Sequence, residues 1–214
     1  MFTNQRTTLH RILLSIEAFF RKYPVLPFVF KWLLISILIG VLVGSASAGF
    51  LISLDWVTNL RETHWWLIAL LPIGGLLIGL LYHYYGQEVE AGNNLLIDNI
   101  LEPKKIIPFR MAPLVYIGTM VTHLLGGSAG REGTALQMAG AISDQLSKPF
   151  RLSPSDRSTL LISAIAAGFG SVFGTPLAGA VFGLEVSLMG RIRYKALFPA
   201  FASAIFADFV TNLW

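Results

Sequence analysis

The 214-residue sequence contains little charge and no cysteine. Asp, Glu, Lys and Arg make up 13% of the chain, whereas soluble globular domains contain about 25%. The absence of cysteine excludes a disulfide, a thiolate zinc site and an iron–sulfur cluster. The four histidines show no metal-ligand spacing, so we expect neither a cofactor nor a bound metal. With 54% hydrophobic residues, the composition excludes a soluble protein.

Three long stretches contain no Asp, Glu, Lys or Arg: residues 32–54, 65–87 and 158–184. Each is long enough to cross a bilayer, which takes about 20 apolar residues of helix. Basic residues precede the first stretch and follow the second, while the loop between them offers only Arg61. The positive-inside rule then predicts a cytoplasmic N-terminus in a multi-pass protein of the cell membrane. Nucleic acid is not an expected partner, because the surplus positive charge lies in short loops.

The remaining segments predict helices of other kinds. Residues 9–20 place apolar side chains on one helical face, which predicts an interfacial amphipathic helix within an N-terminal segment, residues 1–30. A helix that packs beneath the bundle would show the same pattern. Residues 31–214 are the predicted transmembrane domain. Gly174-Thr175-Pro176 should break its third apolar stretch into two helices, and a final helix should begin at about Tyr194.

A glycine-rich segment, residues 126–130, leads into the charged pair Arg131 and Glu132. The uncharged stretch after the pair, residues 133–143, is too short to cross a membrane, which predicts a half-helix that begins inside the bilayer. The free N–H groups and the positive dipole end of such a helix form an anion site. An ionised Glu132 carboxylate can occupy that site and leave it on protonation, so that anion and proton compete. The alternative is a helix-capping acid paired with Arg131.

Two other patterns allow more than one interpretation. Gly92-Asn93-Asn94 precedes a short apolar stretch, and its amides are donors for an anion, although an ordinary turn or N-cap has the same pattern. Residues 126–130 also match the G-x-S-x-G elbow of serine hydrolases, with Ser128 as nucleophile and His123 as the available base. That elbow needs a strand before the serine, whereas the sequence there predicts a membrane helix. Transport is therefore favoured over intramembrane hydrolysis.

Two motifs together carry a family resemblance. Gly130-Arg131-Glu132-Gly133, followed by Gln137, resembles the gating-glutamate motif of the CLC family of chloride channels and proton-coupled anion antiporters. Pro176-Leu177-Ala178-Gly179, with Phe182 and Glu185, resembles a later helix of that family. The motifs occur in the family's order and at a suitable distance, and together they are specific.

The resemblance extends from roughly Lys31 to Trp214. It implies an all-α, polytopic membrane protein with broken and re-entrant helices, of which this sequence supplies the first of two inverted repeats. It also implies that Glu132 is the external gate and the proton-coupling residue. With the helix N-termini described above, the predicted anion-binding residues are Asn93, Asn94, Gly130, Arg131, Gly133 and Thr134.

Three departures from the chloride-type pattern resemble the bacterial fluoride-exporting branch of the family. Asn93 stands where the filter serine is usual, Thr134 where proline is usual, and Val186 where exchangers carry an internal acid. An amide offers two N–H donors to strongly hydrated fluoride, whereas serine offers one O–H. We therefore predict fluoride/proton antiport that exports fluoride. Chloride/proton antiport or a chloride channel is the alternative, because chloride sites also contain amides and a channel also lacks the internal acid.

The family's second repeat has no counterpart in this sequence. The resemblance implies a homodimer in which each subunit has its own anion path, and the ligands of the second repeat would here come from elsewhere. We expect a partial subunit, from a truncated gene, a split gene or a shortened sequence, that transports poorly by itself. A companion C-terminal half of opposite topology is the expected partner of a split subunit.

Overall fold

The computed structural model describes residues 25–186 and 193–214. Within those ranges the protein is helical and has no strand, as the sequence predicted. The α-helices are α1 (Val25–Thr63), α2 (Leu71–Tyr85), α3 (Asn93–Leu101), α4 (Met111–Leu124), α5 (Arg131–Asp144), α6 (Pro154–Phe173), α7 (Pro176–Val186) and α8 (Tyr194–Thr211). Short 3-10 helices, Trp65–Leu70 and Gln145–Ser147, precede α2 and follow α5. The predicted amphipathic helix at residues 9–20 lies outside the described residues.

Helix α1 is longer than the charge-free stretch that predicted it. It begins at Val25, because Pro27 lies in the first turn, where a helix does not need the missing N–H. It continues through Asp55 and Arg61 to Thr63. The boundary predicted at residue 30 therefore lies inside a continuous helix.

Two helical units of the described chain are long and apolar enough to cross a membrane, namely Val25–Thr63 and Trp65–Tyr85. The second unit turns large apolar side chains outward, including Ile73, Leu76 and Leu77, each more than half exposed. Exposed aliphatic side chains on a helix of this length are typical of a surface that faces lipid.

Helix α6 forms the centre of the bundle. Its residues from Arg157 to Gly168 are buried without interruption, and α1, α5, α7 and α8 pack around it. Glycine allows the closest approach: a side-chain carbon on Gly179 of α7 would lie 2.5 Å from the backbone nitrogen of Gly170. Such contacts between small residues are typical of helices that pack within a membrane.

The predicted break at Gly174-Thr175-Pro176 is confirmed. Helix α6 ends at Phe173, the next residue Gly174 adopts a left-handed conformation with φ of 64°, and Pro176 begins α7. The N–H of Thr175 donates to the carbonyl of Gly170 at 3.0 Å, which satisfies a C-terminal carbonyl of α6. The final helix begins at Tyr194, also as predicted.

Two contacts define the ends of the bundle. At one end, the Lys31 ammonium near the start of α1 pairs with Asp156 in the first turn of α6 at 2.7 Å. At the other end, Arg61 in the last turn of α1 lies against Gly126, in the loop that follows α4.

Candidate anion site at two helix N-termini

Helices α3 and α5 begin side by side. A side-chain carbon on Gly133 would lie 3.3 Å from the side-chain amide nitrogen Nδ2 of Asn93. One on Gly92 would lie 3.3 Å from the amide nitrogen Nε2 of Gln137. Both glycines therefore leave room for an amide from the facing helix, and the two amides lie at the junction of the two N-termini.

The first turn of α5 offers backbone donors. Gly130, the N-cap residue, has an extended conformation and no side chain, and the first hydrogen bond of the helix runs from Thr134 N to Gly130 O at 3.4 Å. Among the described residues, the N–H groups of Arg131, Glu132 and Gly133 have no hydrogen-bond partner. These donors and the positive end of the helix dipole favour a negative charge at this point.

Helix α3 presents Asn93 rather than Asn94 to α5. Gly92 precedes the helix with a φ of 57°, a conformation that glycine adopts without strain. The N–H of Asn94 donates to Ala91 O at 3.1 Å, while no partner is found for the N–H of Asn93 in the described part of the chain. Both asparagine side chains are exposed, and the amide that lies beside Gly133 of α5 is that of Asn93.

Arg131 and Glu132 are both exposed on the first turn of α5. Within residues 25–186 and 193–214 neither side chain forms an ion pair or a hydrogen bond, and no side chain caps the helix. This arrangement differs from the alternative of a capping acid paired with its neighbouring arginine. The Glu132 carboxylate is attached to the turn that carries the unpartnered N–H groups, so it can reach them by a side-chain rotation.

The Thr134 hydroxyl faces α4 and is already hydrogen bonded. It lies 2.6 Å from the hydroxyl of Thr119 and 3.2 Å from the carbonyl oxygen of Gly130, and both threonines are buried. An anion could contact this hydroxyl only if one of these hydrogen bonds broke. The side chain instead ties the start of α5 to α4.

The loop that contains Ser128 lacks the context of a hydrolase elbow. Helix α4, not a strand, precedes it, and Ser128 is exposed. The candidate base His123 directs its Nδ1 atom to the carbonyl of Thr119 in its own helix, at 3.0 Å. A serine nucleophile needs a base within hydrogen-bond reach, and His123 is held elsewhere.

Gln137 is the member of the site to which the sequence assigned no role. It belongs to the motif by position, and its spacing of four residues from Gly133 places both on one face of α5. That periodicity is the signal that identifies it. The contact with Gly92 on α3 is a tertiary one and does not follow from the spacing.

Helices α3 and α5 are short, with 9 and 14 residues. Arg157 bonds to Asn99 near the end of α3 and to Asp144 at the end of α5, and the neighbouring Asp156 pairs with Lys31. Both helices therefore end near the Lys31 end of the bundle and begin about 13 and 21 Å away along their axes.

Comparison with known proteins identifies the family of the chain. The profile of the family described as "Voltage gated chloride channel" matches residues 74–214, well over half of the chain. The chain belongs to this voltage-gated chloride channel, or CLC, family. The two motifs that carried the resemblance lie at the starts of α5 and α7.

Two curated CLC relatives are similar over most of the chain. A "Chloride/fluoride channel protein" of Pseudomonas syringae pv. tomato is 58% identical over 193 residues, which are 90% of this chain and 43% of that protein. An "H(+)/Cl(-) exchange transporter ClcA" of Klebsiella pneumoniae is 31% identical over 179 residues, 77% of this chain and 38% of that protein. The chain spans less than half the length of either.

The fold is also similar to a solved CLC structure. The crystal structure of a CLC-type fluoride/proton antiporter matches with a TM-score of 0.82 and 39% sequence identity. The match covers 86% of this chain and 47% of that one. The arrangement of α1 to α8 is thus that of part of a CLC transporter.

Proposed function

We propose that this chain forms one wall of a transmembrane anion path and takes part in fluoride/proton antiport that exports fluoride from the cell. The observation that carries the proposal is the meeting of two helix N-termini, with Asn93 Nδ2 beside Gly133 and unpartnered N–H groups on the first turn of α5. Helix N-termini and amide donors bind anions without requiring a cofactor or a metal. The proposed role is transport rather than catalysis of a covalent reaction.

Each site residue has a proposed part. The anion lies among the N–H groups of Gly130, Arg131 and Gly133 and the amide of Asn93, while Asn94 adds a donor at the mouth. Thr134 holds the start of α5 in place through its bonds to α4. When ionised, the Glu132 carboxylate competes with the anion for the site. When protonated, it swings away and leaves the site to an anion, so that anion and proton movements are coupled.

The chemistry of the junction supports fluoride over chloride. Fluoride is small and strongly hydrated, so its binding requires donors that replace its water, and the amides of Asn93 and Gln137 both lie here. The names of the 58% identical relative and of the solved antiporter include fluoride. Chloride exchange is the second candidate, because the name of the 31% identical relative includes it.

We further propose that a second half completes the path. The relatives are more than twice as long as the portions matched here, and this junction presents only two helix N-termini on one side of the proposed anion. The second half would supply the opposite side, in a subunit that pairs as a homodimer in the cell membrane with a cytoplasmic N-terminus.

The test is fluoride and chloride efflux from liposomes that contain the purified chain, with internal pH recorded at the same time. Fluoride efflux that drives proton uptake is the expected result when a second half completes the path, whereas the chain by itself should transport poorly. Glu132→Gln should abolish the coupling or block exchange, whereas Glu62→Gln, which changes an exposed acid at the end of α1, should leave both unchanged.

Two outcomes would count against this proposal. Proton coupling that survives in Glu132→Gln would exclude Glu132 as the gate. Efflux of chloride with no fluoride preference would replace fluoride antiport by chloride transport. If the inserted chain is silent alone, the same assay with a companion half that restores efflux would support completion by a second half.

A further inference from the structure

A buried arginine joins three parts of the chain near the Lys31 end. Arg157 of α6 is 6% exposed and donates through Nε and Nη2 to the two carboxylate oxygens of Asp144, at 2.8 and 2.7 Å. The same Nη2 donates to Oδ1 of Asn99 at 2.9 Å and to the carbonyl of Lys105 at 2.5 Å. One guanidinium therefore links α3, α5 and the connection between α3 and α4.

Both oxygens of the Asp144 carboxylate accept hydrogen bonds within this network. Besides Arg157, it accepts hydrogen bonds from Ser147 Oγ at 2.9 Å and from the backbone N–H of Ile107 at 2.8 Å, and it is 0% exposed. An aspartate at the last residue of a helix opposes the helix dipole, so helix stability does not explain it. Its contacts instead hold the C-terminus of α5 against neighbouring segments.

Hydrogen bonds to the rest of the bundle hold helix α3 at its last turn and not, among the described residues, at the side chain of its first residue, Asn93. Asn99 binds Arg157, and the hydroxyl of Ser158 donates to the carbonyl of Ile100 at 2.7 Å. Midway along α3, Leu96 packs against Gly140 of α5. Among the described residues the Asn93 side chain has no hydrogen bond that would hold it independently.

We infer that Arg157, Asn99 and Asp144 form a positioning clamp that sets the separation between Asn93 and Gly133. Asn99 lies six residues, about 9 Å, along α3 from Asn93, and Asp144 lies eleven residues, about 17 Å, along α5 from Gly133. A short rigid helix held at its far end transmits a displacement there to its beginning. Loss of the Asn99 bond therefore moves Asn93 although no residue of the site is changed.

For the anion path, this means that the clamp influences the preference between fluoride and chloride although its residues do not contact the anion. This consequence rests on the proposed function, because it treats Asn93 and the first turn of α5 as anion ligands. The geometric inference does not, since the Asn93 to Gly133 separation can be measured without transport. The two can therefore fail separately.

The absence of native cysteine allows a direct test by cross-linking. Asn93→Cys and Gly133→Cys are introduced together into the full chain, and disulfide formation in membranes is timed under mild oxidation. Asn99→Leu is then added, which removes the acceptor of Arg157 Nη2 and leaves the Arg157 to Asp144 pair. A disulfide forms only when the two Cβ atoms are about 3.5–4.5 Å apart. Because Asn99→Leu should move residue 93 relative to residue 133, we expect cross-linking to slow by about tenfold.

Two further variants serve as controls. Asn99→Asp keeps an oxygen acceptor for Arg157 Nη2 but loses the donor to the Leu95 carbonyl, so it should recover part of the parent rate. Ser47→Ala removes a buried hydrogen bond between α1 and α6, where Ser47 and Ser171 hydroxyls lie 2.8 Å apart, and should not slow cross-linking. A slowing in Ser47→Ala equal to that in Asn99→Leu would mean general loosening and would overturn the clamp.

The inference is also overturned if Asn99→Leu cross-links at the parent rate, or if the parent pair does not cross-link at all. A transport arm uses the native Asn93 and Gly133 and measures the fluoride to chloride efflux ratio in Asn99→Leu. Slowed cross-linking with no effect on any anion flux would retain the clamp and reject the proposed anion site. Slowed cross-linking with a reduced ratio supports both.

Discussion

The side-chain amide of Asn93 lies so close to Gly133 that a methyl group on Gly133 would stand 3.3 Å from its nitrogen. Gly133→Ala should therefore displace the amide and weaken fluoride flux, while the helix itself gains up to about 1 kcal/mol in intrinsic stability. Flux and thermal unfolding are measured together. Gly49→Ala, on α1 with nothing within 4 Å, is the control that should alter stability alone.

The two asparagines at the start of α3 should differ. Asn93→Ser leaves one O–H in place of two N–H donors near the anion, and the loss of a hydrogen bond to a charged group should lower the fluoride preference by about tenfold or more. Asn94→Ser should have a smaller effect, because the amide that lies beside Gly133 is that of Asn93. Competition between fluoride and chloride in the efflux assay measures both. Equal effects would mean that the two amides share the anion equally.

Two ion pairs of equal length should contribute unequally to stability. Arg157 to Asp144 and Lys31 to Asp156 are both 2.7 Å long, but only the first is buried. Arg157→Met leaves a buried carboxylate without its partner and should cost about 3–5 kcal/mol, whereas Lys31→Met should cost less than about 1 kcal/mol. Denaturant unfolding followed by tryptophan fluorescence measures both.

A second variant separates charge from packing at this pair. Arg157→Met combined with Asp144→Leu removes both buried charges and should recover a large part of the lost stability. If the double variant is as unstable as Arg157→Met alone, then the remaining contacts of the network, and not the unpaired carboxylate, account for the loss.

The contact between α6 and α7 should not accept one added methyl group. Gly179→Ala would place a carbon 2.5 Å from the nitrogen of Gly170, so backbone must shift and about 1–3 kcal/mol should be lost. Gly75→Ala on α2, with no atom within 4 Å, should lose nothing. A neutral result at Gly179 would show that α7 can move away from α6 without cost.

The sequence predicted helix ends correctly where glycine or proline restricts the backbone conformation. Gly174 and Pro176 predicted the break after α6, because one residue favours a left-handed conformation and the other cannot continue a helix. The glycines before Arg131 predicted where α5 begins for similar reasons. The charge-free stretch of residues 32–54 did not give the bounds of α1, because charged residues end an apolar pattern without ending a helix.

The contacts that assemble the site could not be predicted in this way. Asn93 meets Gly133 and Asn99 meets Arg157 only because α3 packs beside α5 and α6, and no local spacing records that packing. The buried partners Asp144 and Arg157 lie on different helices and resemble surface charges in the sequence. Thr134 was predicted to bind the anion through the family resemblance, and its bond to Thr119, which depends on α4, did not follow from the sequence.

The length of α1 has a consequence for how the protein senses its membrane. Its 39 residues make a rod about 58 Å long, while a bilayer with its headgroups measures about 40–45 Å, so the rod fits within it only when inclined by about 40°. One end holds Lys31 to α6, and the other lies against Gly126 in the loop that leads to Arg131. A change in bilayer thickness that alters that inclination acts on both attachments, one of which lies in the loop that leads to Arg131.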